Sequence, residues 1–165
     1  MQSFPRLVLA GFASLALAAP VAGQRSDDQI QPKSVDLMHQ GQTLMASGKL
    51  EDAENALETA LAVDPRNRWA YVDLARVAEK QHLFGKAVRM TDKALLIEPN
   101  DPDAIAVQGE AMVEMGATAR AQENLQKLQT ICGAKSCPQV SQLSAAITRG
   151  PTVASAKAPE SPKKD

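Results

Sequence analysis

The chain has 165 residues, about one domain, and its 44% hydrophobic and 22% charged content is that of a protein with a buried core. Only 3% is aromatic, a balance that suits an Ala- and Leu-rich helical array. With 18 basic against 19 acidic side chains the formal net charge is −1, and no basic stripe stands outside the short tail, which argues against a nucleic-acid binder.

The first residues read as an address. Arg6 is a positive flank, Leu7 to Ala19 is an unbroken run of apolar or small residues, and Val21-Ala22-Gly23 offers the small side chains a signal peptidase needs. Residues 1–23 are therefore expected to be a signal peptide cut near Gly23, which sends the mature protein to a periplasmic or secreted location. The run is too short to span a bilayer comfortably, for which roughly twenty residues are needed, and no comparable stretch follows, so a mature form without a transmembrane segment is expected, with a retained membrane anchor as the alternative. No cysteine follows it to accept a lipid. Residues 24–33 read as a flexible lead-in.

From Ser34 the chain repeats. Blocks at about 34–67, 68–101 and 102–135 align, with Asp64-Pro65 and Glu98-Pro99 in register at the ends of the first two. Each block holds two amphipathic helical patterns on either side of a tight turn. In the first, Leu37, Leu44, Leu50, Leu57 and Leu61 keep helical spacing, and Gly41 and Ala53 are small where two helices must cross. Ser47-Gly48-Lys49 breaks the pattern, because glycine readily takes the positive-φ conformation that ends a helix, and Glu51 and Asp52 fall in the next first turn. Helices over about 34–47 and 50–63 are predicted. Tyr71, Leu74, Ala75, Ala78, Phe84, Ala87, Ala94 and Ile97 repeat the arrangement, as do Ile105, Gly109, Met112, Gly116, Ala121, Leu125 and Leu128. Asp101-Pro102 places a capping residue before a proline, as at a helix start.

These residues resemble the tetratricopeptide repeat (TPR) family. Its pattern is met by Leu37, Gln40-Gly41, Leu44, Ala53, Leu57, Ala60 and Pro65, by Tyr71, Leu74-Ala75, Ala78, Ala87, Thr91, Ala94 and Pro99, and by Ile105, Gln108-Gly109, Met112, Ala121, Leu125 and Leu128. Gly133 replaces the last proline. The resemblance implies an all-α fold, a three-repeat solenoid of antiparallel helix pairs, and a function in binding proteins rather than in catalysis.

Beyond the third block, Ile131 to Pro138 reads as a loop, and Val140, Leu143, Ala146 and Ile147 predict a capping helix over about 138–148. Residues 150–165, rich in Pro, Ala, Ser and Lys, read as a disordered tail. Cys132 and Cys137, with four residues between them, fit a disulfide closing a small loop in an oxidising compartment. Reduced thiols, redox chemistry and a metal site remain as alternatives, although the spacing is not Cys-x-x-Cys and further zinc ligands are not offered nearby. Small exported repeat proteins of Gram-negative bacteria look similar in ending on a paired-cysteine loop and a short helix, which supports the structural reading.

His39 and His82 are the only histidines, and no nucleophile-elbow, His-Glu-x-x-His or phosphate-loop motif accompanies them. No catalytic residue, cofactor or metal is therefore assigned.

The resemblance also places the first helix of each repeat on the concave face. It implies a groove made by Val35, Met38, Gln42 and Met45, then Trp69, Val72, Asp73, Arg76 and Lys80, then Asp103, Ala106, Val107, Glu110 and Glu114. Such a groove grades from a methionine-containing end to an acidic one, and suits an extended or helical peptide with an apolar stretch and a basic terminus. Trp69 is its candidate anchor. Family members that clamp a terminal carboxylate use lysines, an arginine and asparagines where this chain has Met38, Gln42, Asp73, Asp103 and Val107, so that clamp is missing. The expected role is an adaptor or scaffold for an envelope protein, with self-association or a thiol-active protein using Cys132 and Cys137 as the alternatives.

Overall fold

A computed structural model describes residues 30–133 and 137–152. The expected signal peptide and most of the lead-in and tail lie outside them. The described residues form α1 (Pro32–Ala46), α2 (Leu50–Val63), α3 (Arg68–Lys80), α4 (Phe84–Ile97), α5 (Pro102–Glu114), α6 (Thr118–Cys132) and α7 (Pro138–Arg149), with no strand among them. Successive helices pack as antiparallel pairs, and each first helix also packs on the next: α1 on α3, α3 on α5 and α5 on α7. The all-α solenoid with a capping helix is thus observed.

The turns repeat as faithfully as the helices. Gly48, His82 and Gly116 have φ of 76°, 60° and 76°, and the amides just after them, on Lys49, Leu83 and Ala117, donate to Leu44, Ala78 and Met112 carbonyls at 3.0, 2.8 and 2.8 Å. This six-to-one hydrogen bond behind a left-handed residue ends each first helix and aims the chain back along it. The second helices α2, α4 and α6 then start without a side-chain cap.

The first helices of repeats two and three are capped by side chains 34 residues apart. Asn67 accepts from the Ala70 amide at 3.2 Å and Asp101 from the Ala104 amide at 2.9 Å. The same residues tie neighbouring repeats together. Asn67 Nδ2 donates to Ser34 Oγ at 3.0 Å, Ser34 Oγ donates to the Ala60 carbonyl at 2.7 Å, and Arg68 pairs with Asp101. Asp64 accepts from the Gln31 and Arg66 amides and from the Arg66 guanidinium, which together with the amides holds its carboxyl far below the usual range against the opposing effect of burial.

The core is small-residue packing. Ala53, Ala87 and Ala121, again 34 apart, are wholly buried, as are Ala60, Ala94 and Leu128. A Cβ on Gly41 would meet Leu57 Cγ at 2.6 Å, and one on Gly109 would meet Leu143 Cδ1 at 2.6 Å. The capping helix therefore seats Leu143 directly on the backbone of α5. The stretch expected as a loop begins later than predicted: α6 continues through Cys132, and Gly133, with φ of 55°, ends it. Cys132 and Cys137 are joined as a disulfide with Cα atoms 5.7 Å apart, linking the end of α6 to the start of α7.

Candidate partner-binding face

A polar line crosses the layer of α1, α3, α5 and α7. His39 Nδ1 donates to Gln42 Oε1 at 3.0 Å, and Gln42 Nε2 donates to Asp73 Oδ2 at 2.7 Å. One turn along α3, Arg76 donates to Asp73 Oδ1 at 3.1 Å and across to Asp103 Oδ1 on α5 at 2.9 Å. Gln139 of α7 donates to the same Asp103 oxygen at 3.2 Å. Asp73 is buried, so it needs these donors: an unpaired carboxylate there would be strongly unfavourable. Arg76 and Asp103 keep 36% and 43% of their side-chain surface in solvent. The line thus exposes charged heads fixed by a buried anchor.

At its far end Glu79, Glu110 and Glu114 line a recess of about 230 Å³ with Phe84, Arg149 and Thr152. Burial pushes Glu79 up to about 8, and Glu110 and Glu114 add to this against Arg76 and Lys80. Burial also raises Glu110, against a hydrogen bond from Gln142 and the charges of Arg149 and Arg76. Glu114 accepts from the Thr152 amide and hydroxyl at 2.8 and 2.9 Å, so the chain leaving α7 is tied to α5.

Of the residues assigned to the groove, Val35, Gln42, Met45, Trp69, Arg76, Asp103, Glu110 and Glu114 are partly accessible and Lys80 is exposed. Met38, Val72, Ala106 and Val107 belong instead to the core, between 1% and 5% exposed. Each of these helices is covered on two sides by neighbours, so only a narrow stripe reaches solvent, and the apolar residues beside it turn inward. Trp69 does two things at once. It packs on the core cluster that contains Met38 and Leu74, with the Arg68 guanidinium 4.2 Å from its ring centroid, and it borders a recess of about 410 Å³ shared with Asp103.

Glu79 was missed by sequence reasoning, yet it stands 34 residues after Met45, which was assigned to the groove. The same step relates Gln42, Arg76 and Glu110, one per repeat. Gln139 and Gln142 were also missed, and no repeat carries a register into α7. Among the described residues no group of three or more His, Cys, Asp or Glu is placed to hold a metal ion, and no helix is long and apolar enough to cross a membrane.

A tetratricopeptide repeat model matches residues 44–111. No curated protein matches the chain in sequence. Among solved structures, the Sgt2 TPR domain from Aspergillus fumigatus is 21% identical over 72% of this chain and 79% of that one, with a TM-score of 0.66. The TPR2B domain of yeast Sti1, in its complex with pHsp70, is 20% identical over 72% and 98%, also at 0.66. The Yersinia enterocolitica type III secretion translocator chaperone SycD is 18% identical over 72% and 89%, at 0.63. The chain therefore has the fold of a tetratricopeptide repeat solenoid, three helix pairs closed by a seventh helix.

Proposed function

We propose that this protein is a non-catalytic adaptor of a bacterial envelope that holds one segment of a partner protein along the face of α1, α3, α5 and α7. The observation that carries this reading is the fixed line Gln42, Asp73, Arg76, Asp103, Gln139. A peptide brings backbone donors and acceptors that must be matched, and side chains already held in place lose less freedom on meeting them. The half-buried Val35, Met45 and Trp69 favour apolar side chains at one end of the segment, and Glu110 and Glu114 favour a basic residue at the other. The solved Sti1 domain named above carries pHsp70 on the same fold, which supports a peptide ligand, although this chain has carboxylates at 73 and 103 and would choose a different one. The expected leader with Arg6 and the linked Cys132 and Cys137 favour export to an oxidising space.

A photo-crosslinking residue tests the face directly. Val72 is too buried to carry it, so it belongs at the exposed Lys80. With the full chain in its native envelope, one defined adduct that disappears with Asp103→Arg would establish the adaptor. Adducts unaffected by that change would remove the face from the proposal. A protein recovered from cytoplasm with residues 1–23 intact would remove the envelope.

Self-association is the second reading, favoured by the α1–α2 end, where Leu37 and Leu44 border an open recess of about 410 Å³ with no further helix over it among the described residues. Sedimentation decides: a monomer at every concentration excludes it.

A further inference from the structure

Glu79 lies in the last turn of α3 and Glu110 on α5, and both line the recess of about 230 Å³ together with Glu114. Glu110 uses one oxygen toward Gln142 of α7, while its Oε1 is buried without a hydrogen-bond partner. A buried carboxylate oxygen without a donor is a costly arrangement. The charged and titratable groups around the pair are Arg76 and Lys80 on α3, Glu114 on α5, Arg149 on α7 and His82 in the α3–α4 turn; α4 adds only Phe84. Arg76 is already committed to Asp73 and Asp103, and Glu114 to Thr152. None of Lys80, His82 and Arg149 donates to Glu110 Oε1, and a proton is the donor that would fit there.

We propose that Glu79 and Glu110 hold one proton between them at neutral pH, and that its loss loosens the α3–α5 joint and the seat of α7. Two like charges beside one recess then replace one charge and one neutral carboxyl in a site that solvates them poorly. The inference stands whether or not the face binds a peptide. Its sign follows from linkage. Glu79, pushed up to about 8, keeps in the folded chain a proton that the unfolded chain has already released. Stability therefore falls as pH rises from the ordinary carboxylate range to about 8 and levels off above it.

Urea unfolding of the full chain, compared with Glu79→Gln between about pH 5.5 and 8.5, tests this. The unfolding constant of the unaltered chain should rise relative to the variant by up to about tenfold per pH unit, and flatten at the top of the range. Parallel profiles overturn the shared proton. If Glu79→Gln does not fold, carboxyl-carbon NMR of the unaltered chain replaces it: one glutamate titrating above about pH 6.5 is expected, and all of them titrating in the ordinary range overturns the proposal. Amide exchange, corrected for its intrinsic pH dependence, should show α7 losing protection at the high end relative to α1. Equal protection at both ends overturns the link to α7.

Discussion

Gly41 and Leu57 meet across the first repeat so closely that a single added Cβ would stand 2.6 Å from Leu57 Cγ. Gly109 and Leu143 repeat that relationship between α5 and α7. Alanine is the better helix former by roughly 1 kcal/mol, yet here it would force the leucine out of place. Gly41→Ala and Gly109→Ala are expected to destabilise by about 1–3 kcal/mol in urea unfolding. A gain in stability from either would mean that the helices can separate without loss.

His82 carries the opposite expectation. It has φ of 60° where Gly48 and Gly116 stand in the other repeats, a conformation that costs an L-residue roughly 1–2 kcal/mol. Part of that is offset by the lower entropy of an unfolded histidine. His82→Gly should therefore raise stability by about 0.5–1 kcal/mol, read as a higher midpoint of thermal unfolding; a lower one would mean that the edge-on packing of His82 against Phe84 matters more.

Why the sequence revealed the fold so readily and the face less so is visible in these residues. Gly48, Gly116, Asp101-Pro102 and the buried alanines are local signals, each dictated by a turn, a cap or a close crossing, and the 34-residue period repeats them. The orientation of a helix about its own axis is not local. Asp73 joins the polar line through Gln42 and Arg76 while Val72 beside it, equally buried, packs in the apolar core, because α1, α2, α4 and α5 all pack on α3. A one-residue error in the stripe moves a side chain by about 100°. The partners of Asp103 and Glu110 on α7 lay beyond the reach of the period altogether.

Arg76 joins α3 to α5 through Asp73 and Asp103. Arg76→Ala leaves the buried Asp73 with Gln42 as its side-chain donor and is expected to cost about 1–2 kcal/mol, discounted for the solvent that reaches the guanidinium. Asp103→Ala, whose carboxylate is more exposed, should cost less than about 1 kcal/mol. The ranking, measured by thermal unfolding at one pH, is the check; a larger loss from Asp103→Ala would reverse the roles assigned to the two carboxylates.

The carboxyl of Asp64 is held far below its usual range by Arg66 and by the Gln31 and Arg66 amides. The folded chain therefore keeps this group ionised where the unfolded chain would protonate it. Its contribution is fully present above about pH 4 and is lost as pH falls below that. Acid unfolding should steepen there, and Asp64→Asn should flatten this limb while lowering stability at neutral pH by about 1.5–3 kcal/mol. Identical acid limbs in the two proteins would show that other carboxyls control it.

The Cys132–Cys137 bond closes a loop of only a few residues, so chain entropy values it at about 2 kcal/mol. Its main effect falls on α7, which it tethers to α6. Reduction should lower the unfolding midpoint and expose α7 to proteolysis before any other helix. Equal cleavage of oxidised and reduced chains would show that Leu143 and Thr152 hold α7 without the bond.

Because the turns at Gly48, His82 and Gly116 are alike, the three first helices present their side chains at matching places. The chemistry at those places differs: Gln42, Arg76 and Glu110 are neutral, positive and negative in turn. A ligand lying across them thus meets a ruler with even spacing and unequal marks. Sliding by one repeat would set a like charge against Arg76 or Glu110, and reversal would exchange the two ends. For the segment proposed above, the array would fix both direction and frame, a distinction that three identical repeats could not make.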